Sequence, residues 1–459
     1  MIFDEYILFS FALLDFNKEV GSSESNTFRL KKLKSYYQSG KEMEAVSLNN
    51  ELVDKVMTNY VIAKEIISNL SWQEKLRCKR VCSTWYSAVK ALKREQLSPA
   101  DFTVEFKHKA DKTQMTIQKS CQFCTEPLIV FMFTNISGFS KAVKCKNIFP
   151  CPCRIPCDYE HLVLDVVHQS TCQPKDCMLG IKSSYISYMP LPKSITKDFT
   201  LTHLEENPVT AGLYIPVIPN IKSHIIKLKC NTTLQHEFCS AIDTILTDQV
   251  IKGLVVFVTD KHLLNTVEDI VFLNYVKEVQ GDTPYALGGC ICEDTICDSD
   301  EIDHIVTTIT PASAVSDCLI SIAVFTIPKS LKNECNFDMF SLIIESSDWD
   351  KQKIQATIAQ FAKSVPRFEH SVALKLSCIG RDRKHRMEQE LFREAFPDTR
   401  IIGCYGNGEL GVNHPERPVP EWPINKRSRL YSGPQFGVIY SYSTVFVYMG
   451  WGKVLTAKA

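Results

Sequence analysis

The chain of 459 residues carries no net charge, because 52 basic side chains balance 52 acidic ones. There is therefore no global field to gather nucleic acid or an anionic membrane surface, and no partner of either kind is expected. The sequence also lacks any run of about eighteen apolar residues, so it predicts no transmembrane helix. Its apolar opening, MIFDEYILFSFALLDF, has no basic n-region and no small-residue cleavage site, and it includes Asp4, Glu5 and Asp15. These features do not suit a secretory signal; a short helix or a disordered tail is expected. With no such signal, the odd count of 19 cysteines argues against a disulfide framework. The chain reads as intracellular with reduced thiols, and Cys78, Cys82, Cys318 and Cys378 sit in apolar patterns as small buried hydrophobes. A hydrophobic content of 45% is ordinary for a globular protein, and the length allows two or three domains.

Residues 61–92 are the most informative stretch, and they read as two amphipathic helical segments. Ile62, Ile66 and Leu70 repeat at fours beside Ala63 and Ile67; Cys78, Val81, Cys82, Trp85, Ala88, Val89 and Leu92 follow a second helical face. Ser71 followed by Glu74 has the spacing of a capping box and predicts a helix start between the two. Ile66, Ile67 and Leu70 followed by Leu76, Val81, Cys82 and Trp85 resemble an F-box, with the Val-Cys-x-x-Trp ending intact. The family's usual Leu-Pro opening is absent, and Tyr60, Val61 and Ile62 stand near its place. The resemblance implies a hydrophobic surface for a Skp1-type adaptor, formed by Ile66, Ile67, Leu70, Leu76, Val81, Cys82 and Trp85. Through that adaptor the chain would join a cullin-RING ubiquitin ligase.

Upstream, residues 21–45 read as a polar linker. Within them Arg29, Lys31, Lys32 and Lys34 form either a solvated basic turn or a weak nuclear-import patch. Downstream, Pro99 breaks the helix and short strand-like runs begin: 102–106, 128–133, 161–167, 211–218 and 225–228. Two later segments share one plan. A buried strand at 254–258, a helix over 263–279 and a strand at 284–290 ending in glycines are followed by a hydrophobic run at 320–327. A strand at 373–378, a helix marked by Met387, Leu391, Phe392 and Ala395, and a strand at 401–406 are followed by a run at 437–448. Each is a βαβ unit, with a right-handed crossover expected.

The strings Ser-Cys-Ile-Gly-Arg at 377–381 and Gly-Asn-Gly-Glu-Leu-Gly at 406–411, with a helix between them, resemble the C-terminal half of a FIST domain. The fold expected is therefore α/β (mixed α+β): a short N-terminal helical F-box followed by a duplicated α/β FIST-like body. Its parts are a flexible segment at 1–45, the F-box at 46–97, a FIST N-terminal-like domain at 98–330 and a FIST C-terminal-like domain at 331–459.

Gly406, Gly408 and Gly411 satisfy G-x-G-x-x-G, but a proline-rich tract follows them where a dinucleotide site needs a helix. They read as a tight turn, or as a rim of amides with Asn407 and Glu409 lining a small-ligand pocket. Arg381, Arg383, Lys384, His385 and Arg386 crowd a helix start, where cations oppose the macrodipole. They read as a solvated face or as an anion contact. Cys378 beside them reads as a thiol with no catalytic partner fixed by spacing. Together Cys378, Gly380, Arg381, Arg383, Gly406, Asn407, Gly408, Glu409 and Gly411 are the candidate substrate or ligand face. Cys121, Cys124, Cys151 and Cys153 are candidates for zinc, with free thiols in loops as the plainer reading.

The sequence thus points to a non-catalytic substrate receptor of a ubiquitin ligase, cytoplasmic and nuclear, without cofactor, acting on protein substrates. The alternative is a FIST-type small-ligand sensor with a degenerate F-box.

Overall fold

The computed structural model describes residues 58–109, 112–144, 160–172, 177–192, 194, 199–200, 208–265, 270–296, 317–331, 336–345, 348–381, 384–417 and 442–455. The chain forms two units, Met1–Lys93 and Arg94–Ala459, and the fold is mixed α/β. The flexible segment expected at 1–45, with its linker at 21–45, lies outside the described residues.

In the first unit the described elements are α1 (Tyr60–Ser68), α2 (Trp72–Cys78) and the start of α3 (Ser83–Glu95). The Asn59 side chain caps α1 by accepting from the Val61 and Ile62 amides at 3.0 and 3.2 Å. Ser71 and Glu74 form the expected capping box, with the Ser71 amide donating to Glu74 Oε2 at 2.8 Å. Three helices stand where the pattern suggested two. The chain turns over residues 79–82, with short bonds from the Arg80 amide to Arg77 O and from the Val81 amide to Cys78 O. Such i→i+3 bonds close a helix end. The turn folds α3 back, so that Trp85, Ala88, Val89 and Leu92 close a core with Ala63, Ile67 and Cys78.

The second unit repeats one plan three times: an outer strand, two parallel strands joined by a crossover, and a last strand inserted antiparallel between the first two. The first module runs through β1 (Ala100–Lys109), its hairpin partner β2 (Lys112–Lys119), β3 (Pro127–Thr134), α4 (Ile136–Phe139), the small pair β4 (Ala142–Lys144) and β5 (Glu160–Leu162), α5 (Val163–Thr171) and β6 (Met178–Lys182). After β7 (Tyr185–Met189) and β8 (Phe199–Thr200) it ends with β9 (Thr210–Pro216). The second module comprises β10 (Lys222–Leu228), α6 (Leu234–Leu246), β11 (Gln249–Thr259), α7 (Asp260–Asn265), a 3-10 turn (Ile270–Asn274), α8 (Tyr275–Gln280), β12 (Ala286–Cys292), β13 (Asp294–Ile296) and β14 (Ile320–Pro328). The third comprises β15 (Phe337–Ile344), α9 (Lys351–Ser364), β16 (Arg367–Cys378), α10 (His385–Ala395), β17 (Arg400–Gly406), β18 (Glu409–Gly411) and β19 (Thr444–Leu455).

The sheet orders show the repetition: β13-β6-β3-β9-β1-β2, then β10-β14-β11-β12-β18, then β15-β19-β16-β17-β7-β8. The parallel pairs are β3/β6, β11/β12 and β16/β17. Each module gives its neighbour a strand in a closed cycle. β7 leaves the first module to pair with β17, β18 leaves the third to pair with β12, and β13 leaves the second to pair with β6. One hydrophobic core contains Phe131 and Leu213 from the first sheet, Phe257 and Phe325 from the second, and Leu376 and Val447 from the third. The boundary expected at 330/331 therefore falls inside one unit.

The sequence displayed two βαβ units; the third was hidden. Residues 161–167, which read as a strand, instead form the end of β5 and the start of α5. Residues 161–169 are buried throughout, so neither a twofold nor a 3.6-fold pattern shows. The helix expected over 263–279 is divided among α7, the 3-10 turn and α8, with 266–269 outside the described residues.

Two glycines have matching tasks. A Cβ on Gly403 of β17 would overlap the Lys375 carbonyl of β16, and one on Gly289 of β12 would overlap the Val256 carbonyl of β11. In each module the glycine stands opposite that residue on the parallel partner strand.

Candidate functional site

The helical unit divides the seven residues expected to dock an adaptor. Ile67 and Trp85 belong to its own core, whereas Ile66, Leu70, Leu76, Val81 and Cys82 are half-buried. Three consecutive apolar side chains at the start of α1 are exposed, Tyr60 at 41%, Val61 at 73% and Ile62 at 40%, as is Tyr86 on α3 at 52%. The exposure of the first three follows from the rotation of α1 that buries Ala63 and Ile67.

At the C-terminal ends of β16 and β17 the structure does bring Cys378, Arg381 and the 406–411 segment into one region, but as interior. Cys378 and Arg381 are buried and Glu409 is fully so, leaving Gly380 and Asn407 exposed. Arg383 lies outside the described residues. Arg381 forms an internal ion pair. Arg381 Nε donates to Glu388 Oε1 at 3.2 Å, Nη2 reaches the same oxygen, and Nη1 donates to the Tyr442 carbonyl. Arg381 points inward to Glu388, in the first turn of α10.

The remaining cations of the cluster disperse. The Lys384 ammonium donates to the Trp349 carbonyl at 2.7 Å, Arg386 pairs with Glu390 on the surface, and His385 is buried. The glycines of 406–411 form no anion cradle. The Asn407 amide donates to Ile291 O, the Ile291 amide donates to Gly408 O, and Gly411 pairs with Gly288. A Cβ on Gly406 would overlap the Ile291 carbonyl. Close passage of β17 and β18 across β12 therefore accounts for these glycines.

Glu409 accepts from Ser443 Oγ at 2.9 Å through Oε2, and its Oε1 has no partner among the described residues. Burial raises its pKa well above the ordinary carboxylate range. A hydrogen-bonded chain runs on from the ion pair. Thr444 Oγ1 donates to Glu388 Oε2 at 2.7 Å and lies 2.6 Å from Ser377 Oγ, which is 3.3 Å from His385 Nδ1. Burial and the Lys375 charge lower the pKa of His385 to about 3, so its ring is neutral. The Lys375 ammonium donates to the His385 carbonyl at 2.8 Å, and burial lowers its pKa to about 8. Serine, histidine and carboxylate meet here, but all are buried in the sheet–helix interface.

The three strand exchanges meet in a second polar group, which the sequence did not reveal. Ser183 Oγ donates to Tyr405 O at 2.6 Å, the Glu293 amide to Lys182 O at 3.0 Å, and the Asn407 amide to Ile291 O at 3.2 Å. Around them Lys182 lies 3.6 Å from Glu293 and Lys261 lies 3.0 Å from Asp294. Burial, then Glu293, raises the pKa of Asp260, while burial raises that of Asp294. All lie at or within two residues of a strand end, a position that becomes meaningful only once the cycle of exchanges is known.

Cys121 donates to the Pro99 carbonyl at 3.6 Å; Cys151 and Cys153 lie outside the described residues. No group of three metal-ligating side chains occurs among the described residues, and no described helix is long and apolar enough to cross a membrane.

No family model matches this chain, and no curated protein matches it.

Proposed function

We propose that this chain is the substrate-recognition subunit of a Skp1-cullin-F-box ubiquitin ligase, directing proteins bound by its α/β body to ubiquitination and proteasomal degradation in cytoplasm and nucleus. One observation supports this reading above the others. The small helical unit has its own core, yet Tyr60, Val61 and Ile62 remain exposed at the F-box position. Contiguous apolar side chains of this kind mark interaction sites, and the half-buried Ile66, Leu70, Leu76, Val81 and Cys82 extend the apolar surface of the same unit. The chain acts as a receptor and leaves ubiquitin transfer to other subunits.

The test is adaptor co-purification with Val61→Asp/Ile62→Asp and with Leu70→Ala. Central apolar anchors commonly contribute about 2 kcal/mol or more to binding, so both variants lose the adaptor while the α/β body melts as before. Undiminished adaptor recovery with the doubly charged variant refutes the reading.

A further inference from the structure

The face of the third sheet that α10 covers carries a buried polar cluster. Lys375 and Ser377 of β16 share this face with Gly403 and Tyr405 of β17 and Ser187 of β7. On α10, His385 and Gln389 lie one turn apart and are both buried. Exposure is 0% for Lys375, Gln389 and Ser187, 1% for His385 and 3% for Tyr405. The His385 and Tyr405 rings are 4.1 Å apart, and Lys375 Nζ stands 5.3 Å from the Tyr405 ring centre.

The hydrogen-bonding capacity here is not used up. Both side-chain polar atoms of Gln389 and Nε2 of His385 have no partner among the described residues. The Tyr405 hydroxyl approaches Ser187 Oγ without reaching hydrogen-bond geometry. Lys375 gives one proton to the His385 carbonyl and retains two others. A buried amide left wholly unpaired is costly, and native interiors seldom tolerate one.

Charge decides what fits. Glu388 is the nearby acid, but its oxygens are occupied by Arg381 and Thr444. Arg381 and Glu388 cancel, which leaves Lys375 as a buried cation without a carboxylate of its own. The surplus groups around it are mainly donors: two ammonium protons, the Gln389 NH2 and two hydroxyls. We propose that the buried polar cluster of Lys375, Gln389, Tyr405 and Ser187 binds one small monovalent anion, a halide or a compact carboxylate. The anion supplies the missing negative charge and accepts from these donors, with charge-assisted bonds to Lys375. Without it, burial of the ammonium favours the neutral amine; with it, Lys375 remains protonated. Anion binding is therefore coupled to proton uptake above about pH 8, the pKa to which burial lowers Lys375.

The experiment uses the full chain, melted in sodium chloride, bromide or formate and, at matched ionic strength, in gluconate, a much larger anion. Crystals soaked in bromide are examined for anomalous scattering beside Lys375 Nζ. The expected result is a melting temperature about 2 °C or more higher in at least one small anion than in gluconate, with bromide density in hydrogen-bond reach of Lys375 if the site takes halide. A formate-only shift identifies a carboxylate site of the same chemistry. Lys375→Met should abolish the difference; should that variant not fold, Gln389→Glu, which supplies a carboxylate from the chain, should do the same. Equal melting in all four salts, with no bromide beside Lys375, overturns the proposal. So does an anion-dependent shift that persists unchanged in Gln389→Glu.

Discussion

Arg381 and Glu388, seven residues apart in the chain, form an ion pair in which both side chains have 0% exposure. Removing one partner leaves the other charged, buried and uncompensated. Arg381→Met should therefore lower stability by about 3–5 kcal/mol, measured by urea denaturation. Adding Glu388→Gln should restore a substantial part of the loss. If Arg381→Glu folds with unchanged stability, the pair does not hold this interface, and Arg381 returns to the surface role that its place in a basic cluster suggested.

Equivalent glycines give a comparison within one molecule. Gly403→Ala and Gly289→Ala drive a methyl group into a backbone carbonyl, whereas a Cβ on Gly180 lies 3.5 Å from the Ile296 carbonyl, an ordinary contact. The first two should cost about 3 kcal/mol or prevent soluble expression, and Gly180→Ala should fall within about 1 kcal/mol of the parent. Equal melting temperatures for all three would show that the parallel strands separate at no cost.

Stability should depend on pH through two buried groups of opposite sign. The His385 pKa is lowered to about 3 from an ordinary 6.5. Its contribution is thus complete above the unfolded value and is lost as pH falls from 6.5 towards 3. Glu409 is raised from an ordinary 4.5, so its contribution is complete below that value and declines as pH rises. His385→Gln should flatten the acid limb of the stability profile. Glu409→Gln should raise stability at neutral pH and leave that limb in place. Parallel displacement of the whole curve by either variant contradicts the assignment.

The α/β body should fold alone if cut with care. A fragment starting at Arg94 retains the Gln96 carbonyl, which accepts from Thr125 Oγ1 at 3.2 Å, and the Leu97 carbonyl, which accepts from Trp451 Nε1 at 2.8 Å. It should melt in one cooperative transition by calorimetry. A fragment starting at Ser98 loses both bonds and should melt lower by a few degrees, about 1 kcal/mol per bond. Aggregation of both fragments would mean that the body depends on the preceding residues.

Trp85 marks the limit of reading a docking surface from sequence. Its helical spacing was legible, but spacing alone does not separate a partner-facing ring from one in the unit's own core, and Trp85 is only 7% exposed. The two later βαβ units were legible because their strands are apolar runs that end in glycines. The first was obscured by β5 and α5, which are buried on every side and so carry no periodic signal. Arg381 and Glu409 were found as residues but misplaced. Proximity of charge in the sequence suggested an exposed face, whereas the Arg381 guanidinium turns inward to Glu388. Lys375 and Gln389 gave no signal, since an isolated lysine in a strand and a glutamine in a helix are ordinary until burial is known.

The cycle of exchanged strands also sets a timetable for synthesis. β6 ends at Lys182, yet the strand that covers its edge, β13, begins at Asp294. At a translation rate of roughly 5–20 residues per second, the first module waits on the order of 5–20 s with an open parallel edge. β12 waits in turn for β18, and β17 receives a strand made long before it. Nascent chains arrested shortly after residue 230 should thus be cleaved readily by protease near β6, and those arrested past 340 should resist. The ribosome-bound intermediate, with its unpaired edge, is the form of this protein most dependent on chaperones.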